Sequence, residues 1–429
     1  MHNITKLHDP VLDFRDSCGF ALLAHMDGEK SHWLVETTLE SLARLTHRGA
    51  VAADGKSGDG CGIMLQFPEP FLRAVAKDCG FRLSEHFASG LVFFSPDSKM
   101  IERGQEILTR HLSRFALNVQ GWREVPTCPE VVGEQASACM PSIYQVFVNA
   151  PAGWRPHDIE RQLFAARRFA FEEERKLPDP DPLYYVVTLS NLTMVYKGLV
   201  QAEHLADFYP DLRDERMSSS IGICHQRFST NTLPRWNYAQ PFRYLAHNGE
   251  INSVNANRDW ANARAGILRS PLLPSLEDLS PLVNESGSDS SSLDNLLEVF
   301  LAGGMDVFRA MRLLMPPAIR DDMDPDLKAF LQFNSMHQEP WDGPAGVVAT
   351  NGRIACRNLD RNGLRTARYR ITQDGVFTVA YQFGVWDCPP ARIKRRGRLG
   401  TGEMIAVYSE SGRFWKNSAF EDSLKASPA

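Results

Sequence analysis

Short apolar runs alternate with amphipathic helical patterns along most of this chain. In residues 32–47, the side chains of Val35, Leu39, Leu42 and Thr46 recur at helical spacing, which predicts an amphipathic helix. Further helical patterns cover residues 99–116, 156–176, 252–265, 290–302 and 325–338. Strand-like runs are found at residues 18–25, 62–67, 91–94, 143–148, 184–189, 221–225, 346–349, 376–380 and 404–408.

The order of these elements favours an α+β fold. Strands cluster towards both ends with helices between them, which predicts two packed sheets over a βαβ ladder. The chain contains no internal repeat and no clear linker, so residues 18–429 are expected to form one domain. The polar stretch from about residue 409 onward is expected to fray.

Composition and charge exclude several classes of function. The chain has 429 residues, 43% hydrophobic content and a net charge of −5, and no run approaches the roughly 18 apolar residues of a membrane span. Acids interrupt the polar leader 1–17, so it does not resemble a secretory signal. The basic run 392–398 has no interleaved aromatics and is interpreted as a solvated turn, not a nucleic-acid patch. We expect a cytoplasmic protein without nucleic-acid or membrane partners.

The eight cysteines are scattered and form no Cys-x-x-Cys pair, which argues against zinc or iron–sulfur ligation and against a disulfide framework. Cys18 is nevertheless a candidate nucleophile, because it follows the leader and opens a strand-like run. Cleavage of the Ser17–Cys18 bond would give one residue both a thiol and an α-amine, whose pKa of about 8 suits a general base. A buried free cysteine in a strand is the alternative.

Two polar segments suggest a loop and an anion-binding group. Residues 46–62 contain five glycines and are predicted to form a long surface loop, since the Gly-x-x-x-x-Gly-Lys pattern of a phosphate loop is absent. Residues 225–231 place Arg227 among hydroxyl and amide side chains after a predicted strand. Its planar guanidinium could bind the α-carboxylate of an amino acid, and a structural ion pair is the equally favoured alternative.

Two further segments allow both a structural and a chemical interpretation. Asn248-Gly249 is typical of a hairpin turn, but an Asn amide beside a glycine N–H could also form an oxyanion hole. Residues 284–294 are rich in Ser and Asp before an amphipathic pattern, which is typical of helix capping. An aspartate there could instead bind a substrate ammonium group.

Together these segments resemble the class II glutamine amidotransferases, which are N-terminal-nucleophile hydrolases. The segments that carry the resemblance are Cys18-Gly-Phe, Thr46-His-Arg-Gly, Asp59-Gly-Cys-Gly, His225-Gln-Arg-Phe-Ser-Thr-Asn, His247-Asn-Gly-Glu-Ile-Asn and Ser288-Asp-Ser. Residues 341–346, 359–369, 385–386 and 400–404 are similar in particular to the amidotransferase domain of the glutamate synthase large subunit. Thr366 departs from that pattern, in which proline is more usual.

The resemblance implies an αββα four-layer sandwich and assigns roles to individual residues. It implies that residues 1–17 are a propeptide whose removal exposes Cys18 as the nucleophile. Asn248 and Gly249 match the oxyanion hole, and Asp289 matches the acid that binds the substrate α-amine. The implied glutamine contacts are Arg48, Arg227, Ser229, Thr230 and Asn231.

The resemblance also implies a reaction and its partners. The implied activity is hydrolysis of L-glutamine to glutamate and ammonia, with ammonia passed to a synthase subunit or domain that acts on 2-oxoglutarate. No cofactor is expected in this chain, and FMN and an iron–sulfur cluster are expected only on a partner or a further C-terminal portion. The alternatives are a non-catalytic glutamine-sensing subunit, an amidotransferase with another ammonia acceptor, or a different acyl transferase on the same fold.

Overall fold

The computed structural model describes residues 18–178, 182–227, 234–274, 276–382 and 384–425. Within these ranges the strands are β1 (Gly19–His25), β2 (Cys61–Gln66), β3 (Phe87–Phe94), β4 (Asn118–Glu124), β5 (Ser142–Asn149), β6 (Tyr184–Val186), β7 (Thr193–Gly198), β8 (Ile221–Gln226), β9 (Leu245–Gly249), β10 (Ala345–Thr350), β11 (Ile354–Leu359), β12 (Arg368–Thr372), β13 (Val376–Ala380), β14 (Ile393–Arg398), β15 (Met404–Tyr408) and β16 (Arg413–Trp415). The helices are α1 (His32–Ala43), α2 (Glu69–Asp78), α3 (Ser98–Arg114), α4 (Glu134–Ala138), α5 (Pro156–Glu174), α6 (Leu205–Phe208), α7 (Val254–Ala265), α8 (Asp289–Ala302), α9 (Val307–Leu314), α10 (Pro325–Ser335) and α11 (Asn417–Lys425).

Three sheets organise these strands. A seven-stranded sheet has the order β14-β12-β13-β1-β8-β2-β7, a five-stranded sheet has the order β16-β15-β11-β10-β9, and a four-stranded sheet has the order β4-β5-β3-β6. The pairings recorded between the described strands are all antiparallel. The predicted βαβ ladder is therefore wrong, since that unit needs parallel strands.

The first two sheets pack face to face between helices. Alternate side chains of the five-stranded sheet point to opposite sides, as the period of a strand requires. Ala246, Val348 and Val407 join the apolar core shared with the seven-stranded sheet, and Leu245, Val347 and Ala406 join the core beneath α8 and α9. Helix α1 covers the other face of the seven-stranded sheet through contacts with β1, β8 and β2. The expected αββα sandwich is confirmed.

Several helices, among them α1, α3, α8, α9 and α10, begin at a short polar side chain that accepts a hydrogen bond from a free N–H group of the first turn. Ser31 accepts a hydrogen bond from Leu34 N at the start of α1, and Asp306 accepts from Phe308 N at the start of α9. In α1, Leu34, Val35 and Leu42 are buried against the sheet. This apolar stripe confirms the helix expected from the spacing of residues 32–47. The α-helix ends at Ala43, and a separate short 3₁₀ segment follows at Thr46–Arg48.

Two predictions near the C-terminus are wrong. The stretch that was expected to fray from residue 409 contains β16 and α11, and Phe420 of α11 is fully buried against Phe308. The basic run 392–398 forms the edge strand β14 and not a solvated turn. Strand β14 is defined by its pairing with β12, and α11 by the packing of Phe420 on Phe308, and a local polar composition conceals both contacts. None of the helices in the described part of the chain is long and apolar enough to cross a membrane.

Candidate active site

Antiparallel pairing brings three of the polar segments to one edge of the seven-stranded sheet. Cys18 directly precedes β1, and the first residue of that strand, Gly19, lies opposite Gln226 at the end of β8. Cys61, the first residue of β2, also lies opposite Gln226. The beginning of one antiparallel strand meets the end of its neighbour. Cys18, Arg227 and the loop before β2 therefore converge, although they are far apart in sequence.

The five-stranded sheet contributes Asn248 from the end of β9. The Nδ2 group of Asn248 donates a hydrogen bond to the carbonyl oxygen of Cys18 at 2.8 Å, and only 3% of the Asn248 side chain is exposed. An Asn amide has two N–H donors, so one remains for a second acceptor beside Cys18. The hairpin alternative for this segment is wrong, because β9 pairs with the distant strand β10.

A buried histidine joins the two sheets beneath this site. Nε2 of His225 lies 2.8 Å from the carbonyl oxygen of His247, one residue before Asn248. Burial lowers the pKa of His225 to about 3, so the ring is neutral at ordinary pH and Nε2 carries the hydrogen that it donates. This bond fixes β9 against β8 and thereby fixes Asn248 relative to Cys18.

Gly249 follows Asn248 at a position that excludes a side chain. Its φ is +125°, and an added Cβ would lie 1.8 Å from the carbonyl oxygen of Pro344. Only glycine fits this combination of backbone angle and close approach. The structure thus explains why glycine follows the asparagine.

The loop before β2 surrounds Arg227 with its own polar groups. Nε of Arg227 lies 3.5 Å from Oδ2 of Asp59, and Arg227 N donates to the carbonyl of Gly60 at 2.7 Å. Arg227 has a φ of +77°, an uncommon backbone conformation for a residue other than glycine. Residues 57–60 are buried, so the surface-loop prediction for 46–62 is wrong over that part.

Arg48 lies next to the residue that follows Cys18. A Cβ added to Gly19 would come within 3.1 Å of Cγ of Arg48, so the arginine stem packs against the residue that follows Cys18. Nη2 of Arg48 donates to Oε1 of Gln382 at 2.8 Å, and the guanidinium lies 5.3 Å from the centre of the Tyr381 ring. Arg48 is therefore near Cys18 but directed towards the end of β13.

Helix α8 is bonded to the chain at both ends of β9, and its first residue, Asp289, lies near the cysteine. Ser288 caps the helix, and Oδ2 of Asp289 accepts a hydrogen bond from Ile251 N at 2.8 Å, just past the end of β9. Asp294 accepts from Tyr244 N at 2.9 Å, just before β9 begins. The capping interpretation holds for Ser288, while Asp289 ties the helix to the strand that carries Asn248.

The surroundings of Cys18 keep its thiol protonated. The pKa of the Cys18 thiol is raised to about 12, and burial is the largest cause. The positive charges of Arg227 and Arg365 lower this pKa, whereas the negative charges of Asp59 and Asp289 raise it. The side chain stays partly exposed. A thiol of this kind becomes a nucleophile only when a nearby base removes its proton.

Two other cysteines near this edge are unsuited to chemistry. Cys61 and Cys224 lie inside strands with no exposed surface, and burial raises the pKa of each thiol, to about 12 for Cys224. A reactive cysteine needs both access and a base. Among these three thiols Cys18 alone has access.

The structure brings together Cys18, Arg48, Arg227, Asn248, Gly249 and Asp289. The predicted contacts Ser229, Thr230 and Asn231 lie outside the described residues. Asp59, Gln226 and Arg365 lie within segments that carry the resemblance, but sequence reasoning gave none of them a role. In the structure the charges of Asp59 and Arg365 act on the Cys18 thiol, and Gln226 donates to Asp59 at 3.1 Å.

The chain is similar in sequence to proteins of one family. Residues 18–428 match the family described as glutamine amidotransferases class-II. The chain is 38% identical to the glutamate synthase [NADPH] large chain of Azospirillum brasilense, over 96% of this chain and 27% of that protein. It is 36% identical to the glutamate synthase [NADH] of Saccharomyces cerevisiae, over 95% of this chain and 19% of that protein.

A solved structure titled as the allosteric regulatory enzyme of purine biosynthesis aligns with 92% of this chain and 47% of its own, at 13% identity and a TM-score of 0.39. The chain spans about a quarter of the length of the A. brasilense protein. The family match begins at Cys18, just before β1, includes the strand that carries Asn248 and ends at residue 428. The chain belongs to the class II glutamine amidotransferases.

Proposed function

We propose that this chain hydrolyses L-glutamine with Cys18 as nucleophile, after removal of residues 1–17. The observation that supports this most is the hydrogen bond from Asn248 Nδ2 to the Cys18 carbonyl oxygen at 2.8 Å. It aligns an amide donor with the one partly exposed thiol at the junction of the two sheets. Arg227 and Asp289 supply charges of opposite sign beside that thiol.

The two charges suit the backbone of a free amino acid. Arg227 binds the glutamine α-carboxylate through its guanidinium fork, and Asp289 accepts from the α-ammonium group. Arg48, Ser229, Thr230 and Asn231 complete the contacts in this proposal. With the α-carbon held in this way, the side-chain amide of glutamine extends towards Cys18 and Asn248.

The reaction then follows from the groups at the junction. The free α-amine of processed Cys18 takes the thiol proton, and the thiolate attacks the glutamine amide carbon. Asn248 Nδ2 and Gly249 N–H stabilise the tetrahedral oxyanion. The amine returns the proton to the departing nitrogen, which leaves as ammonia, and then activates a water that hydrolyses the thioester to glutamate.

The ammonia acceptor belongs to a larger assembly in this proposal. The relatives named above are glutamate synthases, and this chain matches about a quarter of the A. brasilense protein. Ammonia released into water at neutral pH is mostly protonated and lost as a nucleophile. We therefore infer delivery to a synthase-type domain or subunit acting on 2-oxoglutarate, with FMN and iron–sulfur chemistry located there. The cytoplasmic location stays a prediction from sequence.

Processing and labelling test the proposal directly. Intact mass and N-terminal sequencing of the purified, active protein should show a chain that begins at Cys18. A glutamine-like electrophile such as a diazo ketone should label Cys18 and spare Cys61 and Cys224. Fully active protein with its leader intact would exclude the amine as base. Glutamine binding without turnover in the processed chain would favour the sensing role, and turnover that does not feed 2-oxoglutarate amination would favour another acceptor.

A further inference from the structure

We propose that Asp59 is a positioning residue for glutamine: it orients Arg227 so that the guanidinium presents its outer edge to the substrate α-carboxylate. This inference rests on the proposed function. It starts from the contact between Asp59 Oδ2 and Arg227 Nε at 3.5 Å. A carboxylate at Nε occupies one side of the guanidinium and leaves the Nη1–Nη2 edge for a second carboxylate.

Asp59 is itself held firmly, as a positioning group must be. Its Oδ2 accepts from Ala50 N at 3.0 Å, its Oδ1 accepts from Gln226 Nε2 at 3.1 Å, and only 7% of the residue is exposed. Its own N–H donates to the carbonyl of Ala50 at 3.2 Å. The carboxylate is thus fixed by both the start of its loop and the end of β8.

A backbone hydrogen bond also restrains Arg227. Arg227 N donates to Gly60 O at 2.7 Å, next to Asp59 in sequence, and this bond holds Arg227 at its φ of +77°. An uncommon backbone conformation that neighbouring bonds maintain is typical of sites where a side chain must be aimed. One short segment, Asp59-Gly60, therefore fixes the arginine at both its backbone and its side chain.

The same carboxylate lies close enough to Cys18 to influence the thiol, since its charge raises the pKa of Cys18 while that of Arg227 lowers it. Asp59 and Arg227 act as a pair next to the nucleophile. Loss of Asp59 should therefore weaken glutamine binding through Arg227 more than it slows the chemical steps.

The test measures glutamine binding without turnover. Calorimetric titration of L-glutamine into Cys18→Ala protein gives the reference affinity, and Asp59→Asn is added to that background. Loss of a charge-assisted contact should raise Kd about tenfold. In protein with Cys18 intact, Asp59→Asn should raise KM about tenfold and change kcat by less than about threefold.

The substitution should be tolerated by the fold. Within the described residues Oε1 of Gln226 has no hydrogen-bond partner, so a rotated Gln226 amide can accept from the new Asn Nδ2 while Asn Oδ1 keeps the bond from Ala50 N. Thermal unfolding checks this. If Asp59→Asn fails to fold, Gln226→Met, which removes one anchor of Asp59, should weaken binding in the same direction by about threefold.

The matched control is Asp54→Asn in the same loop. Asp54 accepts hydrogen bonds from Lys56 N, Ser57 N and Gln135 N, and none of these groups contacts Arg227. Asp54→Asn and Asp59→Asn each create an Asn-Gly sequence, in which the new asparagine can deamidate back to aspartate. Mass spectrometry must therefore show that neither variant protein has deamidated. Asp54→Asn should leave the glutamine Kd unchanged.

A double-mutant cycle with Arg227→Lys distinguishes positioning from a general effect. If Asp59 acts through Arg227, adding Asp59→Asn to Arg227→Lys should weaken binding by less than about twofold further. Equal weakening in both backgrounds, or an unchanged Kd in Asp59→Asn, would overturn the inference. Failure of the Cys18→Ala reference protein to bind glutamine would instead overturn the proposed function.

Discussion

Two groups of buried charges in this fold look alike in composition and differ in how their charges are satisfied. The helix cluster consists of Arg167, Arg243, Asp294 and Glu298, between α5, α8 and the start of β9. The nucleophile cluster consists of Cys18, Asp59, Arg227 and Asp289. Both are largely withdrawn from water, and both hold acids and arginines in contact.

In the helix cluster the acids are matched closely by fixed donors. Glu298 accepts from Arg167 Nη2 through one oxygen and from Arg243 Nε at 3.1 Å through the other. Asp294 accepts from the backbone N–H groups of residues 243, 244 and 245. These two carboxylates are satisfied by donors of the protein itself, and Asp294 holds α8 against the start of β9.

In the nucleophile cluster the arginine lies farther from its acid than Arg167 and Arg243 lie from Glu298. The separation of 3.5 Å between Asp59 and Arg227 exceeds an ordinary hydrogen bond. The contact involves Nε of Arg227, and the outer edge of the guanidinium is the part that the proposal above assigns to the substrate carboxylate. Shifted pKa values alone would not separate the two clusters, because burial raises the pKa of both Asp59 and Asp294 to about 6. Geometry separates them.

The largest effect is expected from Cys18→Ala. Removal of the sulfur should reduce glutamine hydrolysis to the limit of detection, since Cys61 and Cys224, the other two thiols described near this site, are fully buried. Thermal unfolding should stay unchanged, because only one atom is lost. Residual turnover with the thermal profile of the unaltered protein would assign the nucleophile to another thiol.

The next largest effect is expected from Glu298→Ala, and it should appear in stability. Truncation leaves Arg167 and Arg243 without their carboxylate, which should cost about 3–5 kcal/mol of the free energy of unfolding. Denaturant titration measures this loss. The KM for glutamine, measured under conditions in which the variant is still folded, should hardly change. A raised KM with unaltered stability would reverse the assignment of the two clusters.

The contribution of Glu298 to the pH dependence of stability has a definite sign. Burial alone would raise the pKa of Glu298, but Arg167 and Arg243 outweigh it and the pKa is lowered. A lowered carboxyl pKa contributes stability above the pKa of the unfolded chain, and that contribution is lost as pH falls through the folded value. Glu298→Gln should flatten the acid side of the stability profile.

A somewhat smaller effect is expected from Asn248→Ala, and it should appear in kcat. Loss of one oxyanion donor should raise the barrier by roughly 3–4 kcal/mol, or about 10²–10³ in kcat, with little change in glutamine affinity. Steady-state kinetics on processed protein measure this. A comparable loss in affinity would place Asn248 in ground-state recognition.

The smallest effect is expected from Arg227→Lys. Lysine keeps the charge but loses the planar fork, so KM should rise about tenfold and more than kcat falls. The matching change Arg243→Lys in the helix cluster should lower the unfolding temperature without altering KM. If both substitutions affected stability alone, Arg227 would be a structural ion-pair partner.

The sequence by itself determined the main elements and the candidate nucleophile. The strand runs at 376–380 and 404–408 agree with β13 and β15, because a short, nearly continuous apolar run is typical of a buried strand. The motifs around Cys18, Arg227 and Asn248 carried the family resemblance, which the family match bears out. These features depend on residues that are close together in the chain.

Only the tertiary structure decided which groups meet. Asn248 and Cys18 are 230 positions apart, and Gln226 and Asp59 are 167 apart, so no local pattern predicts either bond. The edge strand β14 and the helix α11 are likewise specified by contacts with distant strands and aromatic side chains. Antiparallel pairing places chain segments side by side irrespective of their separation, and for that reason the contacts of the site follow from the fold and not from the order of residues.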